Sequence, residues 1–311
     1  MTPAEENAVR MMKTVRAVGY GGPDALEVHD VPHPRASAGD VVVAVVASSI
    51  NPVDVKMRSP EAPQQIVGFP ASLGWDLAGV VVSAPAGSGM QPGDRVVALH
   101  PPGSDGTGSW SQVLAVPADR LVPAPRAIDL VTAAALPLAG LTALHALQRL
   151  GLRPDERLLV TGAAGAVGGF AVQLAAHRGN AVSALVSRES HVPEALALGA
   201  AAASADVDDL QGFDAVFDTA GVFGDARILR PGGRLVTVSD DTIPEEVLER
   251  AGSAEHSYVR HDTDGLRSLV DLVDRRVLRV RVGEVFPFPE IRSAHDRFER
   301  GGLVGKVVVT F

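Results

Sequence analysis

The segment Leu158-Leu159-Val160-Thr161-Gly162-Ala163-Ala164-Gly165-Ala166-Val167-Gly168-Gly169 constrains this chain more than any other. An apolar run that reads as a strand enters a glycine turn. The turn opens into an apolar run, Val167 to Ala176, that reads as a helix. A second strand is expected at Ala181 to Val186. Strand, glycine turn, helix and second strand form the opening of a nucleotide-binding βαβ unit. The glycines allow the backbone to approach a pyrophosphate, and the helix start presents N–H donors with a partial positive charge. Counted back from Gly168, the turn reads Ala163-x-Gly165-x-x-Gly168, with alanine in place of the usual first glycine. Alanine is tolerated there provided its φ is negative. The residues expected to touch a pyrophosphate are Ala163, Ala164, Gly165, Ala166, Val167 and Gly168.

The residue that reads the adenosine ribose lies about 20 residues past such a turn. Here the strand end reads Val186-Ser187-Arg188-Glu189. A hydroxyl and a guanidinium at Ser187 and Arg188 suit a 2′-phosphate, hence NADPH. The alternatives are that Arg188 is a solvated surface residue, and that Glu189 reaches the ribose and reverses the preference to NADH.

Repeated valine-rich runs from Thr14 to about Val122, punctuated by Gly, Pro, Asp and Ser, predict a barrel-like β domain. From Ile128 the texture changes. Helices are expected at Asp129–Ala135 and Leu138–Leu150, followed by strands near 158–161, 181–186, 201–203, 214–218, 234–238 and 256–260 with helices between most of them. That alternation implies a doubly wound parallel sheet of order 3-2-1-4-5-6. Past Val277 the β texture returns. The expected organisation is therefore 12–127 with 278–311 as one domain, 128–277 as a nucleotide-binding domain between them, and 1–11 as a disordered leader.

Composition removes several functions. There is no cysteine among the 311 residues, so disulfides, thiolate catalysis and cysteine-ligated zinc are excluded. His29 and His33 flank Pro32 and read as loop residues, not as a metal pair on a helix. No metal is expected. A formal net charge of −9 without a basic stripe argues against nucleic acid and anionic membranes as partners. No apolar run reaches the ~18 residues of a spanning helix, and Met1–Met12 lacks a signal-peptide core, which makes cytoplasmic residence the expectation.

Further segments carry a family resemblance: Tyr20-Gly21-Gly22-Pro23, Ile50-Asn51-Pro52-Val53-Asp54, Leu73-Gly74-Trp75-Asp76-Leu77-Ala78-Gly79-Val80, Gly93-Asp94-Arg95-Val96, Leu136-Pro137-Leu138-Ala139-Gly140-Leu141-Thr142-Ala143 and Gly305-Lys306-Val307-Val308. In this order, with the glycine turn, they resemble the medium-chain dehydrogenase/reductase superfamily, in its zinc-free quinone oxidoreductase (zeta-crystallin-like) branch. The resemblance implies an α/β fold with a GroES-like β-barrel catalytic domain and a Rossmann domain. Zinc-dependent relatives carry C-x-x-D where this chain reads Asn51-Pro52-Val53-Asp54, and G-H-E where it reads Gly74-Trp75-Asp76. Zinc-polarised alcohol chemistry is thereby excluded as an expectation.

By the same resemblance, Asn51 and Thr142 lie near the nicotinamide, Lys56 and Trp75 line the substrate end, and Ala220 and Ser239 join the cofactor contacts. Asn51 orients the carboxamide, polarises a substrate oxygen, or is only a turn residue before Pro52. Lys56 is more often a surface lysine, and Trp75 more often a packing residue. Asp54 and Asp76 read as loop holders. Many enoyl-reducing relatives have a tyrosine shortly after N-x-x-D; Tyr20 and Tyr258 are the only tyrosines here, and neither falls there. Three readings stay open: NADPH-dependent reduction of a quinone, NADPH-dependent reduction of an alkenal or enone, and a low-turnover nucleotide-binding protein with a structural or redox-sensing role. A homodimer joined through the last strand of the nucleotide domain, His256–Arg260, is implied by the resemblance.

Overall fold

A computed structural model describes residues 10–61, 68–102, 107–222 and 225–311. The chain divides into two compact units. The first runs to Pro137 and takes in Val282–Gly301 and Val307–Phe311; the second comprises Leu138–Arg281 and Gly302–Lys306.

The first unit opens with β1 (Met11–Ala17) and β2 (Leu26–Pro32), followed by β3 (Asp40–Ser49), α1 (Pro52–Met57), β4 (Ala71–Ser72), β5 (Asp76–Ser83) and β6 (Arg95–Leu99). Next come β7 (Val113–Pro117), β8 (Val122–Pro123) and α2 (Leu130–Ala133). Residues 1–9 of the expected leader lie outside the described residues; Met11 already belongs to β1. His29 is not in a loop. It pairs with Thr14 across the β1–β2 ladder, because Val28 and Val31 extend the strand on both sides of it. α1 was not expected. It is only six residues long, and Pro52 supplies the pre-set φ of a first helical position.

The second unit begins on α3 (Pro137–Leu150). It continues β9 (Arg157–Thr161), α4 (Ala166–His177), β10 (Ala181–Leu185), α5 (Val192–Ala197), β11 (Ala202–Ser204), β12 (Phe213–Asp218), β13 (Leu229–Thr237), α6 (Glu245–Arg250), β14 (Ser253–His256) and α7 (Thr263–Asp274). The sheet order is β11-β10-β9-β12-β13-β14, all parallel, which is the doubly wound 3-2-1-4-5-6 order. β12 is buried at every residue, as a central parallel strand covered on both faces must be. Leu159, Phe213, Val216, Leu229, Leu235 and Val247 belong to one hydrophobic core with it. The last strand is earlier than expected: β14 ends at His256, and Tyr258 beyond it is 60% exposed.

Three elements close the chain: β15 (Val282–Pro287), α8 (Ile291–Glu299) and β16 (Lys306–Thr310). β3 pairs antiparallel with β5 along one edge. On its other edge β7 pairs with residues 40–44 and β16 with residues 47–49. The path β15-β16-β3-β5-β6-β8 encloses Val41, Val43, Leu77, Val96, Leu114 and Leu121. This is the GroES-like β fold, and with the Rossmann sheet it gives the α/β class expected. Among the described residues no helix is long and apolar enough to cross a membrane.

At the strand-start end of the parallel sheet, Arg234 on β13 donates to Leu150 O at 2.7 Å and to both oxygens of Glu156, at 3.1 and 2.5 Å. The Arg234 hydrogen bond holds the buried Glu156 carboxyl down at about 2, against an ordinary 4.5. A depressed folded-state value means that this stabilisation is complete above pH 4.5 and is lost as pH falls towards about 2. Urea unfolding followed at pH 5 and pH 3 should show Glu156→Gln losing most of its deficit relative to wild type at the lower pH. An unchanged deficit would show that the pair is not ionised in the folded protein.

Candidate active site

β9 delivers the chain to the turn, and the turn's shape follows from two glycines. Gly162 has φ +60°, and a Cβ there would overlap Thr219 Oγ1. A Cβ on Gly168 would overlap Gly162 O and lie 2.8 Å from Ala163 Cα, so α4 can seat against the turn only without that side chain. Gly165 caps α4 with φ −70° and ψ 176°, and donates its N–H to Gly162 O at 2.8 Å. The left-handed residue is therefore Gly162, not Gly165. Among described non-glycine residues only Arg276 has a positive φ, so Ala163 meets the condition for standing in for a glycine. Ala163 and Ala164 are buried; Ala166 and Val167 begin α4 and are half-buried.

Beside the turn lies a cavity of about 470 Å³ at the C-terminal ends of the parallel strands. Gly162, Ser187, Glu189, Asp206, Ala220 and Val222 are among its lining residues. Ligands of doubly wound sheets bind at this end, where the strand order reverses. The volume lies within the range of small-molecule sites, and the glycine cradle would be filled by a Cβ at Gly168. These features fit a dinucleotide. Ser187 and Ala220 are both among the lining residues. Arg188 is exposed and does not line it; its guanidinium lies against Gly302, where a Cβ would be 3.1 Å from its Cζ. Burial and the neighbouring Arg188 charge hold His191 below the ordinary imidazole range. Glu189 and Asp206 bring carboxylates to the lining, and Asp206 Oδ1 accepts the Asp208 N–H at 2.9 Å. Ser239 and Thr142 are not among the lining residues. Ser239 hydrogen-bonds Asp241, and Thr142, on α3, donates to Leu138 O at 2.7 Å.

One residue that sequence reasoning missed holds these strand ends together. Asp218, fully buried at the end of β12, accepts from Thr161 Oγ1 at 2.6 Å and Thr237 Oγ1 at 2.7 Å. It also accepts the N–H groups of Gly221 and Val222 at 3.0 Å and of Ala220 at 3.4 Å. An Asp closing an otherwise apolar strand, Phe213-Asp214-Ala215-Val216-Phe217-Asp218, was the available signal.

In the first unit, Asn51 is fully buried. Its Nδ2 donates to Asp76 Oδ2 at 2.8 Å, and Ser49 Oγ donates to the same oxygen. Asp54 accepts the N–H of Asn51 at 2.8 Å and that of Gly74 at 3.0 Å. The two carboxylates thus tie α1 to the Gly74-Trp75-Asp76 segment, the loop-holding role expected of them. Gly74 has φ +94°, and a Cβ there would overlap Trp110. Trp75 is half-buried, with its indole N–H lacking a partner among the described residues; Lys56, on α1, is half-buried. At the far end of α1, the buried Arg58 donates to Gly21 O and Glu299 Oε1, both at 2.6 Å, and faces His295 Nδ1 at 3.1 Å. Burial, reinforced by the Arg58 charge, lowers the His295 imidazole to about 3, so it stays neutral. Among the described residues no group of three or more His, Cys, Asp or Glu stands together as a metal site.

Residues 190–309 match the family model described as zinc-binding dehydrogenase, and residues 37–126 match the alcohol dehydrogenase GroES-like domain. The chain is 30% identical to a probable oxidoreductase from Mycobacterium abscessus, whose crystal structure matches with a TM-score of 0.82 over 98% of this chain and 100% of that one. The chain belongs to the medium-chain dehydrogenase/reductase superfamily. Within that superfamily, the quinone oxidoreductase of Coxiella burnetii matches with a TM-score of 0.85 at 26% identity, covering 97% of this chain and all of that one. A chloroplastic NADPH-dependent alkenal/one oxidoreductase of Arabidopsis thaliana is 29% identical over 98% of this chain and 81% of its own length.

The glycine geometry orders the effects of adding one methyl. In Gly165→Ala the Cβ would meet Gly162 O at 3.1 Å, a contact that a small shift relieves, whereas Gly168→Ala drives it into backbone on two sides. Gly168→Ala should therefore cost about 1–3 kcal/mol by overpacking and abolish nucleotide binding, and Gly165→Ala should do markedly less. Melting curves and nucleotide titrations of both variants check the order; the reverse ranking would refute this turn geometry.

Proposed function

We propose that this protein is an NADPH-dependent oxidoreductase that reduces an electron-poor small molecule, a quinone or an α,β-unsaturated carbonyl compound, without a metal. The observation that carries this reading is the glycine turn with its adjoining cavity at the strand ends, in a chain whose relatives include an NADPH-dependent alkenal/one oxidoreductase and a quinone oxidoreductase. When bound, the nicotinamide supplies a hydride to the electron-poor carbon or quinone. Ala163 to Gly168 hold the pyrophosphate, Ser187 and Arg188 the 2′-phosphate, and Ala220, Ser239 and Thr142 the remaining cofactor contacts. Asn51 acts by positioning: its amide is committed to Asp76 and it is fully buried. Trp75 and Lys56 line the substrate. Tyr20 packs edge-on against Phe69 and Tyr258 is 60% exposed beyond β14, so neither is assigned as a proton donor; the last proton would come from water or from a hydroxyl of the bound cofactor. The zinc-free assignment rests on Asn51 and Trp75 standing where zinc-dependent relatives place ligands, and on the lack of cysteine.

A second cofactor reading, NADH, is favoured by Glu189, which lines the cavity where Arg188 does not. A homodimer formed through the edge of β14 would cover that strand's unpaired N–H and C=O groups; light scattering showing a monomer at working concentration would remove it.

Three measurements test the reading. NADPH consumption with a simple quinone and a simple enone should proceed unchanged in a chelator, and simple alcohols should not be oxidised. Tight NADPH binding without turnover on a broad panel would instead indicate a binding protein. Arg188→Ala should weaken NADPH by roughly tenfold or more, since a charge-assisted bond contributes about 1.5–3 kcal/mol, and leave NADH nearly untouched; equal losses would support the Glu189 reading. Asn51→Ala should lower turnover only modestly. A loss of ~10²-fold or more would mean that Asn51 polarises the reacting oxygen.

A further inference from the structure

Arg281 is a buried cation that the proposed chemistry does not use. Its side chain is 8% exposed. Nη1 donates to Ala164 O at 2.9 Å and Nη2 to Gly165 O at 2.6 Å, two consecutive carbonyls of the glycine turn. Gly169 gives the guanidinium room, since a Cβ there would overlap Nη2. Glu194 steadies the arrangement from α5, 3.4 Å from Nη1 and paired also with Arg279. Gln173 on α4 holds the backbone nearby: it accepts the Arg279 N–H at 2.7 Å and donates to Arg279 O at 3.2 Å. Gly305 lies over the same turn, with its N–H 3.4 Å from Ala164 O.

A trans peptide points its C=O and N–H in opposite directions. Fixing Ala164 O therefore aims the Gly165 N–H at Gly162 O, the 2.8 Å bond that closes the turn. Fixing Gly165 O likewise turns the Ala166 N–H away from Arg281. The Ala166 N–H is among the first donors of α4, which have no carbonyl one turn back to bond. We propose that Arg281 is a positioning residue that, through two parallel bonds to turn carbonyls, holds the turn closed and aims the N–H at the α4 start at the cofactor pyrophosphate. This rests on the reading that the turn holds a dinucleotide. A guanidinium is suited to the task because its planar fork serves two acceptors at once, whereas an ammonium is a point donor.

The test titrates the full chain with ADP, which carries a pyrophosphate, and with 2′-AMP, which does not, by calorimetry, with melting curves beside them. Arg281→Met should weaken ADP and NADPH about tenfold, in line with the loss of two charge-assisted bonds partly compensated by the remaining turn contacts, while 2′-AMP affinity is unchanged. Arg281→Lys should recover little of the loss. Full recovery in the lysine variant would mean that charge alone matters and would overturn the proposal; so would an equal loss for 2′-AMP, which marks general damage to the unit. If Arg281 variants do not fold, Glu194→Gln carries the test, with a smaller loss confined to ADP and NADPH expected and an unaltered ADP affinity overturning the proposal. A wild-type chain that binds neither probe overturns the dinucleotide reading itself, and this proposal with it.

Discussion

The second unit depends on a buried carboxylate. Asp218 sits at the end of a strand with every residue buried, where an uncompensated charge would be costly. It is compensated by two threonine hydroxyls and three backbone N–H groups. Those donors come from the ends of β9 and β13 and from the loop after β12, so one side chain gathers three neighbouring strand ends. Thr161 serves twice: its hydroxyl donates to Asp218 and accepts the Thr219 N–H, while its carbonyl accepts the Thr219 hydroxyl at 2.7 Å. Thr219 in turn occupies the space that Gly162 leaves open. The strand ends, the left-handed glycine and one side of the cavity are thus fixed by a single connected network.

The first unit uses the same physics in a different place. Asp54 and Asp76 are both fully buried, and each is satisfied by donors from other segments. Asn51 takes part as a donor, which commits it to geometry and leaves reactivity to the bound molecules. A short helix of six residues has little stability of its own. α1 is held at its start by the two carboxylates and at its end by Arg58, whose guanidinium reaches Gly21 and Glu299. Buried ions here serve as fasteners for loops and short elements, and their energetic value lies in being fully bonded.

Much of the fold was legible because its signals are local. The apolar runs, the glycine turn and the Pro137 helix start led to the 3-2-1-4-5-6 sheet. The errors were local too. Tyr258-Val259 looked like strand, but β14 ends at His256, level with the end of its neighbour β13 at Thr237. The spacing of the glycines does not say which of them carries the positive φ of the turn; it is Gly162.

The sequence by itself determined the fold class, the strand–turn–helix that opens the parallel sheet, and the lack of any cysteine chemistry, since each follows from residue type and short-range periodicity. Only the tertiary structure decided which of Ser187, Arg188 and Glu189 faces the cavity, because consecutive residues at a strand end diverge by small backbone rotations. It also decided that Asn51 is committed to Asp76, 25 positions away, and that Arg281 grips a turn 116 and 117 positions before it. Contacts of that separation depend on how the chain returns on itself, and no local pattern of side chains encodes the return.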